Sequence, residues 1–220
     1  MTSTGEIHNN DDLVFFGKVN ASISHELKNI LAIISEAAGL LNDLTEMAAK
    51  GKDVEPAMLS TCSRDIIEEI KRGFATIKQM NTFSHSVDVP IKSVNLIEVL
   101  ELMIALAGFL SFAGKVRFDP PQQAVPTALT CPFRLQNLMY RALVFAFESA
   151  GSEAEIQVSM QPEKSGSIRI TFSGLGSKSG RPFPDYQTQR IADSIGVEIR
   201  MTAYLQGIDI VVPEVIESMK

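Results

Sequence analysis

Cysteine, long apolar runs and positive charge are all scarce in this chain, and each scarcity removes a class of function. There are two cysteines, Cys62 and Cys131. Far apart and without CxxC spacing, they exclude a disulfide framework and a zinc site, and lone thiols point to a reducing cytoplasm. The longest apolar run, around Leu100 to Ala113, is interrupted by Glu101 and falls short of the roughly 20 residues a membrane span needs. Ahead of Leu13 stand Glu6, Asp11 and Asp12 in place of the basic start and apolar stretch of a signal peptide. Lys and Arg number 20 against 26 Asp and Glu, a net charge of −6 with a pI near 5.2. That balance argues against a nucleic-acid binder working through a general basic field and favours a protein partner. Low-complexity tracts and internal repeats are missing too. What is present is a folding composition, 45% apolar and 21% charged over 220 residues, with room for one or two domains.

The first half carries a helical period. Leu13, Phe16, Asn20, Ile23, Leu27, Ile30, Ile34, Ala37, Leu41 and Leu44 alternate steps of three and four, a heptad seam with Asn20 its single polar member. Residues 50–56 (KGKDVEP) break it, and a second helix follows from about Ala57 to His85 with the stripe Leu59, Cys62, Ile66, Ile70, Phe74, Ile77, Met80 and Ser84. Two such helices and a short loop make an antiparallel hairpin. One apolar stripe per helix has little to bury alone, so pairing of two copies into a four-helix bundle, a homodimer, is predicted.

Beyond Pro90, which stops helix continuation, the pattern mixes. Asn95–Leu110 reads as helix and Lys115–Phe118 as a short strand. Cys131–Ala150 is a helix with Pro132 in its first turn. Glu155–Gln161 and Ser167–Ser173 form a hairpin about PEKSG. A helix at Asp185–Gly196 and strands Val197–Tyr204 and Gly207–Val212 complete an α/β sandwich, a mixed sheet covered by helices. The expected divisions are a flexible N-terminus over 1–12, a helical hairpin over 13–87, a linker over 88–94 and the sandwich over 95–214. Phe109, Phe112, Met139, Phe145 and Phe147 read as core.

His25 stands off the seam. At 100° per residue it lies about 200° from Ile23 and points away from the bundle core. Asn29, at i+4, shares its face; Glu26 is about 100° around; Ala21, Ser22 and Ala32 leave open space about the ring. On spacing alone a solvent-facing histidine is ordinary. Its chemistry nevertheless suits a phosphoryl acceptor: one ring nitrogen attacks phosphorus while Glu26 accepts a hydrogen bond from the other, and Asn29 is placed to orient a water or hold phosphoryl oxygens. His8, in a polar N-terminal stretch, and His85, after the second helix's last turn, have no comparable surroundings.

Residues 21–31, ASISHELKNIL, resemble the H-box of sensor histidine kinases in the form H-E-x-x-N, and the resemblance extends through the hairpin over residues 13–85. It implies that His25 is phosphorylated, that Ala21, Ser22, Lys28 and Ala32 around it meet a partner, and that the hairpin dimerises. The second half, about 94–213, resembles the ATP-binding domain of the same kinases in layout more than in motif. RLQNLMYRALVFAFESA (134–150) is similar to the N-box helix, residues 167–176 to the strand entering the adenine loop, and RIADSIG (190–196) to the closing helix.

The departures are at the nucleotide. The two N-box asparagines fall on Arg141 and Phe145, neither of which can ligate Mg²⁺. The adenine-reading aspartate falls on Phe172. The glycine-rich phosphate loop falls on PFPD at 182–185, where the prolines have no N–H to offer. Only about ten residues separate Gly176 from the next helix, too few for an ATP lid. The stretch SGLGSKSG lacks both GK[ST] and GxGxxG and reads as a flexible loop. No cofactor is therefore expected on this chain, and Mg²⁺ is expected on a partner.

A phosphorylatable histidine without ATP needs a phosphoryl donor, and the resemblance supplies one: the aspartyl-phosphate of a response-regulator receiver domain. The chain is most similar in architecture to the dimeric pseudo-kinase histidine phosphotransferases of bacterial phosphorelays, whose implied function is to pass phosphate between receiver aspartates. Three other readings stay open: a sensor kinase with a divergent nucleotide pocket, a receiver phosphatase in which Asn29 positions water, and a non-catalytic dimeric regulatory or scaffold module.

Overall fold

The computed structural model describes residues 4–109, 115–121, 126–151, 155–163, 166–176, 181–202 and 206–214. The class is α+β, a long helical hairpin and an α/β sandwich. Two compact units divide the chain: Phe16–Ser84, and Met1–Phe15 together with His85–Lys220.

The hairpin is made by α1 (Thr4–Ala49) and α2 (Pro56–Ser84). From Phe16 onward the α1 seam faces inward: Ile23, Ile30 and Leu44 are buried and Phe16, Leu27, Ile34, Ala37 and Leu41 half-buried, whereas Leu13 is exposed. Burying an isoleucine side chain is worth about 1.5–3 kcal/mol, so these positions fix the helix's rotation. Asn20, the polar seam residue, donates from Nδ2 to the Phe16 carbonyl at 2.9 Å. The antiparallel pairing is marked by the Phe16 and Phe83 rings, stacked at 5.5 Å, and by Gly73, whose missing β-carbon would lie 3.6 Å from Ile30. α1 ends in the Lys50–Gly51 turn, with Gly51 at φ +72° and the Lys52 N–H bonded to the Met47 carbonyl.

The single stripe expected of α2 divides into two. Cys62, Thr76 and Phe83 are buried and Ile66, Gly73 and Met80 half-buried, while Leu59, Ile67, Ile70, Phe74 and Ile77 are exposed, Phe74 by 70%. At 100° per residue the two sets are centred roughly a quarter-turn apart. α2 thus carries two apolar faces, one buried within the hairpin and one exposed, which the sequence pattern had merged.

The sandwich unit holds β1 (Lys92–Asn95), α3 (Leu96–Gly108), β2 (Lys115–Phe118), β3 (Thr127–Thr130), α4 (Pro132–Ala150), β4 (Glu155–Pro162), β5 (Ile168–Ser173), α5 (Tyr186–Ser194), β6 (Glu198–Met201) and β7 (Gly207–Val212). Its main sheet runs β2-β4-β5-β7-β6, antiparallel except for the parallel β2–β4 pair. α4 packs across β4, β5 and β7. Leu135, Leu138, Met139, Ala142, Leu143 and Ala146 of α4 meet the inward alternation of Ile156, Val158, Ile170, Phe172, Ile208 and Ile210, all buried. Met139 and Phe147 are core as expected, and Phe109 and Phe145 are half-buried.

Several boundaries differ from expectation. Residues 10–12, expected in a flexible N-terminus, are helical: α1 begins at Thr4 and takes in His8. Phe15 packs on Phe133 and Tyr140, with ring centroids 5.3 and 5.1 Å away, and Asp12 and Asp11 meet Arg134 and Gln187. The expected linker 88–94 contains most of β1, which pairs with β3 in a separate two-stranded sheet. β1 runs straight into α3 with no turn between them, so its short alternation does not stand out in the sequence. Asn95 is not the first helical residue of α3 but its cap, accepting from the Ile97 and Glu98 N–H groups while donating to the Glu98 side chain. Leu110, Phe112, Tyr204 and residues 177–180 of the Gly-rich stretch lie outside the described residues. Among the described residues no helix is long and apolar enough to cross a membrane.

Gly174, just past β5, has φ +91°, and a β-carbon there would stand 2.6 Å from the Glu155 carbonyl oxygen. Both the backbone and the neighbour demand glycine. Gly174→Ala is expected to destabilise the sandwich by about 1–3 kcal/mol, read as a lower urea midpoint; an unchanged midpoint would show that the β4–β5 end yields freely.

Candidate functional site

Burial of Ile23 and Ile30 turns the opposite side of α1 to solvent, and His25 is on that side, exposed. Its i±3, i±4 and i+7 neighbours are Ala21, Ser22, Lys28, Asn29 and Ala32, so the expected partner-binding residues share one helix face with the imidazole. Ala21, Lys28, Asn29 and Ala32 are exposed and Ser22 is half-buried. Asn29 is the ring's hydrogen-bond neighbour, its Nδ2 3.2 Å from His25 Nδ1.

Glu26 is placed differently from expectation. Its carboxylate does not take the ring proton but pairs with Arg72 of α2, whose other guanidinium nitrogen donates to both oxygens of Glu69 at 3.1 and 3.0 Å. The reason is rotational: consecutive helix residues diverge by about 100°, so a His25 facing outward leaves Glu26 turned toward α2 and half-buried beside Arg72. Burial opposes the charge on Arg72, but the hydrogen bond and charge of Glu26, with Glu69 behind them, more than offset it and raise its pKa. Sequence reasoning missed Arg72 and Glu69, since both sit among the charges off the apolar stripe and nothing local marks them.

In the sandwich unit, the positions that resemble a nucleotide site are filled from within. Arg141 Nε donates to Asn137 Oδ1 at 3.2 Å and Nη2 to Gln187 Oε1 at 3.4 Å, and Nη1 stands 3.8 Å from Asp185. Asp185 is also the N-cap of α5, accepting from the Thr188 N–H at 2.7 Å. Burial acts to raise its pKa, but these hydrogen bonds and Arg141 carry it below the ordinary carboxylate value. Phe145 stacks on Phe183 with centroids 4.4 Å apart, and Phe172 is fully buried in the core. A guanidinium in place of an oxygen donor, an aromatic stack and a buried phenyl do not fit a Mg²⁺–nucleotide. Among the described residues no group of three or more His, Cys, Asp or Glu side chains gathers as a metal site.

No protein-family model and no curated protein matches the chain. Solved structures do. A bacterial phosphotransferase is 12% identical with a TM-score of 0.50, covering 96% of this chain and 98% of its own. The catalytic domain of the histidine kinase ThkA is 14% identical over 59% of this chain and 100% of its own, with a TM-score of 0.47. The cytoplasmic segment of the histidine kinase QseC is 18% identical over 66% and 93%, with a TM-score of 0.42. The architecture is histidine kinase-like; at these identities the likeness is one of fold.

Replacing Arg72 by Ala removes the bond between the hairpin helices beside His25. Because Arg72 is largely exposed, the expected loss is only about 0.5–1 kcal/mol, measured as a reduced urea midpoint of the hairpin; no change would show that the three side chains contribute nothing to stability.

Proposed function

We propose that this protein is a histidine phosphotransfer protein that passes a phosphoryl group between response-regulator receiver aspartates through His25, without ATP. The observation that carries the reading is the exposed imidazole on a rigid helix, ringed by small residues and touched by Asn29. In-line transfer depends on positioning and charge neutralisation. A receiver supplies its own acidic pocket and Mg²⁺, so this chain needs to contribute only the nucleophile and a docking face, formed by Ala21, Ser22, Lys28 and Ala32. Glu26 serves that face through Arg72 by bracing α1 against α2. The internal pairing of Arg141 and the Phe145–Phe183 stack support phosphoryl supply from outside and argue against autokinase activity. A histidine kinase-like fold spanning almost the whole of a phosphotransferase structure supports the same two-component setting. The free thiols Cys62 and Cys131 accord with a cytoplasmic location.

The exposed stripe of Ile67, Ile70, Phe74 and Ile77 on α2 supports a second copy packing there as a four-helix bundle.

The test mixes this protein with a pre-phosphorylated receiver. Acid-labile phosphate is expected on the wild type, with or without added ATP, and none on His25→Ala. Label that stays on the receiver, or moves equally to the variant, refutes phosphotransfer. Free phosphate released equally by both proteins, with neither labelled, selects the receiver-phosphatase reading. For the bundle, light scattering is expected to give twice the 24.0 kDa chain mass for the wild type and the chain mass for Phe74→Glu; a monomeric wild type at micromolar concentration refutes the dimer.

A further inference from the structure

Resting on the reading of His25 as a phosphoryl carrier, we infer that the Asn29 side-chain amide, and not the Glu26 carboxylate, decides which ring nitrogen of His25 holds the proton. Two observations meet here. Glu26 is occupied by Arg72, and the polar atom facing the ring is Asn29 Nδ2, 3.2 Å from Nδ1.

A carboxylate can only accept, so beside a neutral imidazole it fixes the proton on the nitrogen it touches. An amide has a donor end and an acceptor end. With Nδ2 toward the ring, the N–H meets the Nδ1 lone pair, and the proton of the neutral imidazole is on Nε2. In that state the solvent-facing nitrogen has no lone pair to offer phosphorus. Turning the amide by about 180° about its last torsion, which is soft and two-fold, brings Oδ1 to Nδ1. The proton then belongs on Nδ1, and the Nε2 lone pair is free.

Attack from this second state balances without an external base. The Nε2 lone pair forms the N–P bond as the bond between phosphorus and the receiver's aspartyl oxygen breaks. That oxygen leaves with the electron pair as a carboxylate, and the ring keeps its Nδ1 proton, bonded to Asn29 Oδ1. The reverse sequence delivers the phosphoryl group to a second receiver. Asn29 is a positioning residue in this scheme: it touches the ring and never the phosphorus. Its exposure, like that of His25, makes substitution at either position compatible with folding.

The experiment is ¹⁵N–¹H correlation spectroscopy of the histidine-labelled full chain, which distinguishes protonated from bare ring nitrogens. The neutral wild-type His25 is expected to carry its proton on Nε2. Asn29→Asp, which can only accept, is expected to move it to Nδ1, and Glu26→Gln is expected to leave the wild-type pattern unchanged. In parallel, Asn29→Ala is expected to slow labelling from a phosphorylated receiver roughly tenfold, the effect of losing one oriented hydrogen bond. A Glu26→Gln variant that shifts the proton, an Asn29→Asp variant that does not, or a wild type protonated on Nδ1 overturns the inference. A wild type that takes no label from any receiver refutes the carrier reading instead, and the spectra distinguish the two failures.

Discussion

Ile23 and Ile30 are seven residues apart on α1 and only 0% and 2% exposed. Burying that pair fixes the rotation of the helix, and the rotation decides everything that follows. His25 faces water because Ile23 cannot. Ala21, Ser22, Lys28, Asn29 and Ala32 share its face because they lie three, four or seven residues away. Glu26 meets Arg72 because it is one residue round from an outward histidine. The chemistry of the face is thus set by packing on the other side of the same helix, and an apolar contact about 200° away is what aims the imidazole.

In the sandwich unit the core and the mouth of the sheet are held by different interactions. Its layers, α4 over β4, β5 and β7 with α5 alongside, are held by apolar burial that makes no reference to what occupies the mouth of the sheet. Where the resemblance to a kinase would put acidic and amide oxygens, Arg141 reaches Asn137, Gln187 and Asp185, and Phe145 lies on Phe183. The cation is satisfied by polar side chains and the rings by one another, each within the chain.

Much of this was legible in the chain. A heptad period sustained over dozens of residues announced the hairpin and, with it, the outward His25, because periodicity is a direct record of burial. Strand pairs with clear alternation, β4 and β5, emerged within a residue or two. What escaped was short or long-range. β1 and β3 have four residues each and exist because they pair with one another. The two apolar faces of α2 overlapped into one apparent stripe, since a quarter-turn offset is hard to see in a 3-4 spacing. The Glu26–Arg72 bond joins positions in different helices, and a single sequence carries no signal for a contact between charges that lie off the apolar pattern. Expecting Glu26 on the ring followed from adjacency, whereas side-chain direction in a helix favours the residue one turn away, Asn29.

Under the proposed reading, the Arg141–Asp185 bridge has a thermodynamic corollary. A protein that takes up a small molecule in its native state gains stability by mass action and so registers that molecule's abundance. Here the guanidinium already has its counter-ion in the same chain, so its charge is balanced by the protein's own carboxylate. That bridge between α4 and α5 belongs to the chain's own stability and is present whatever small molecules surround it.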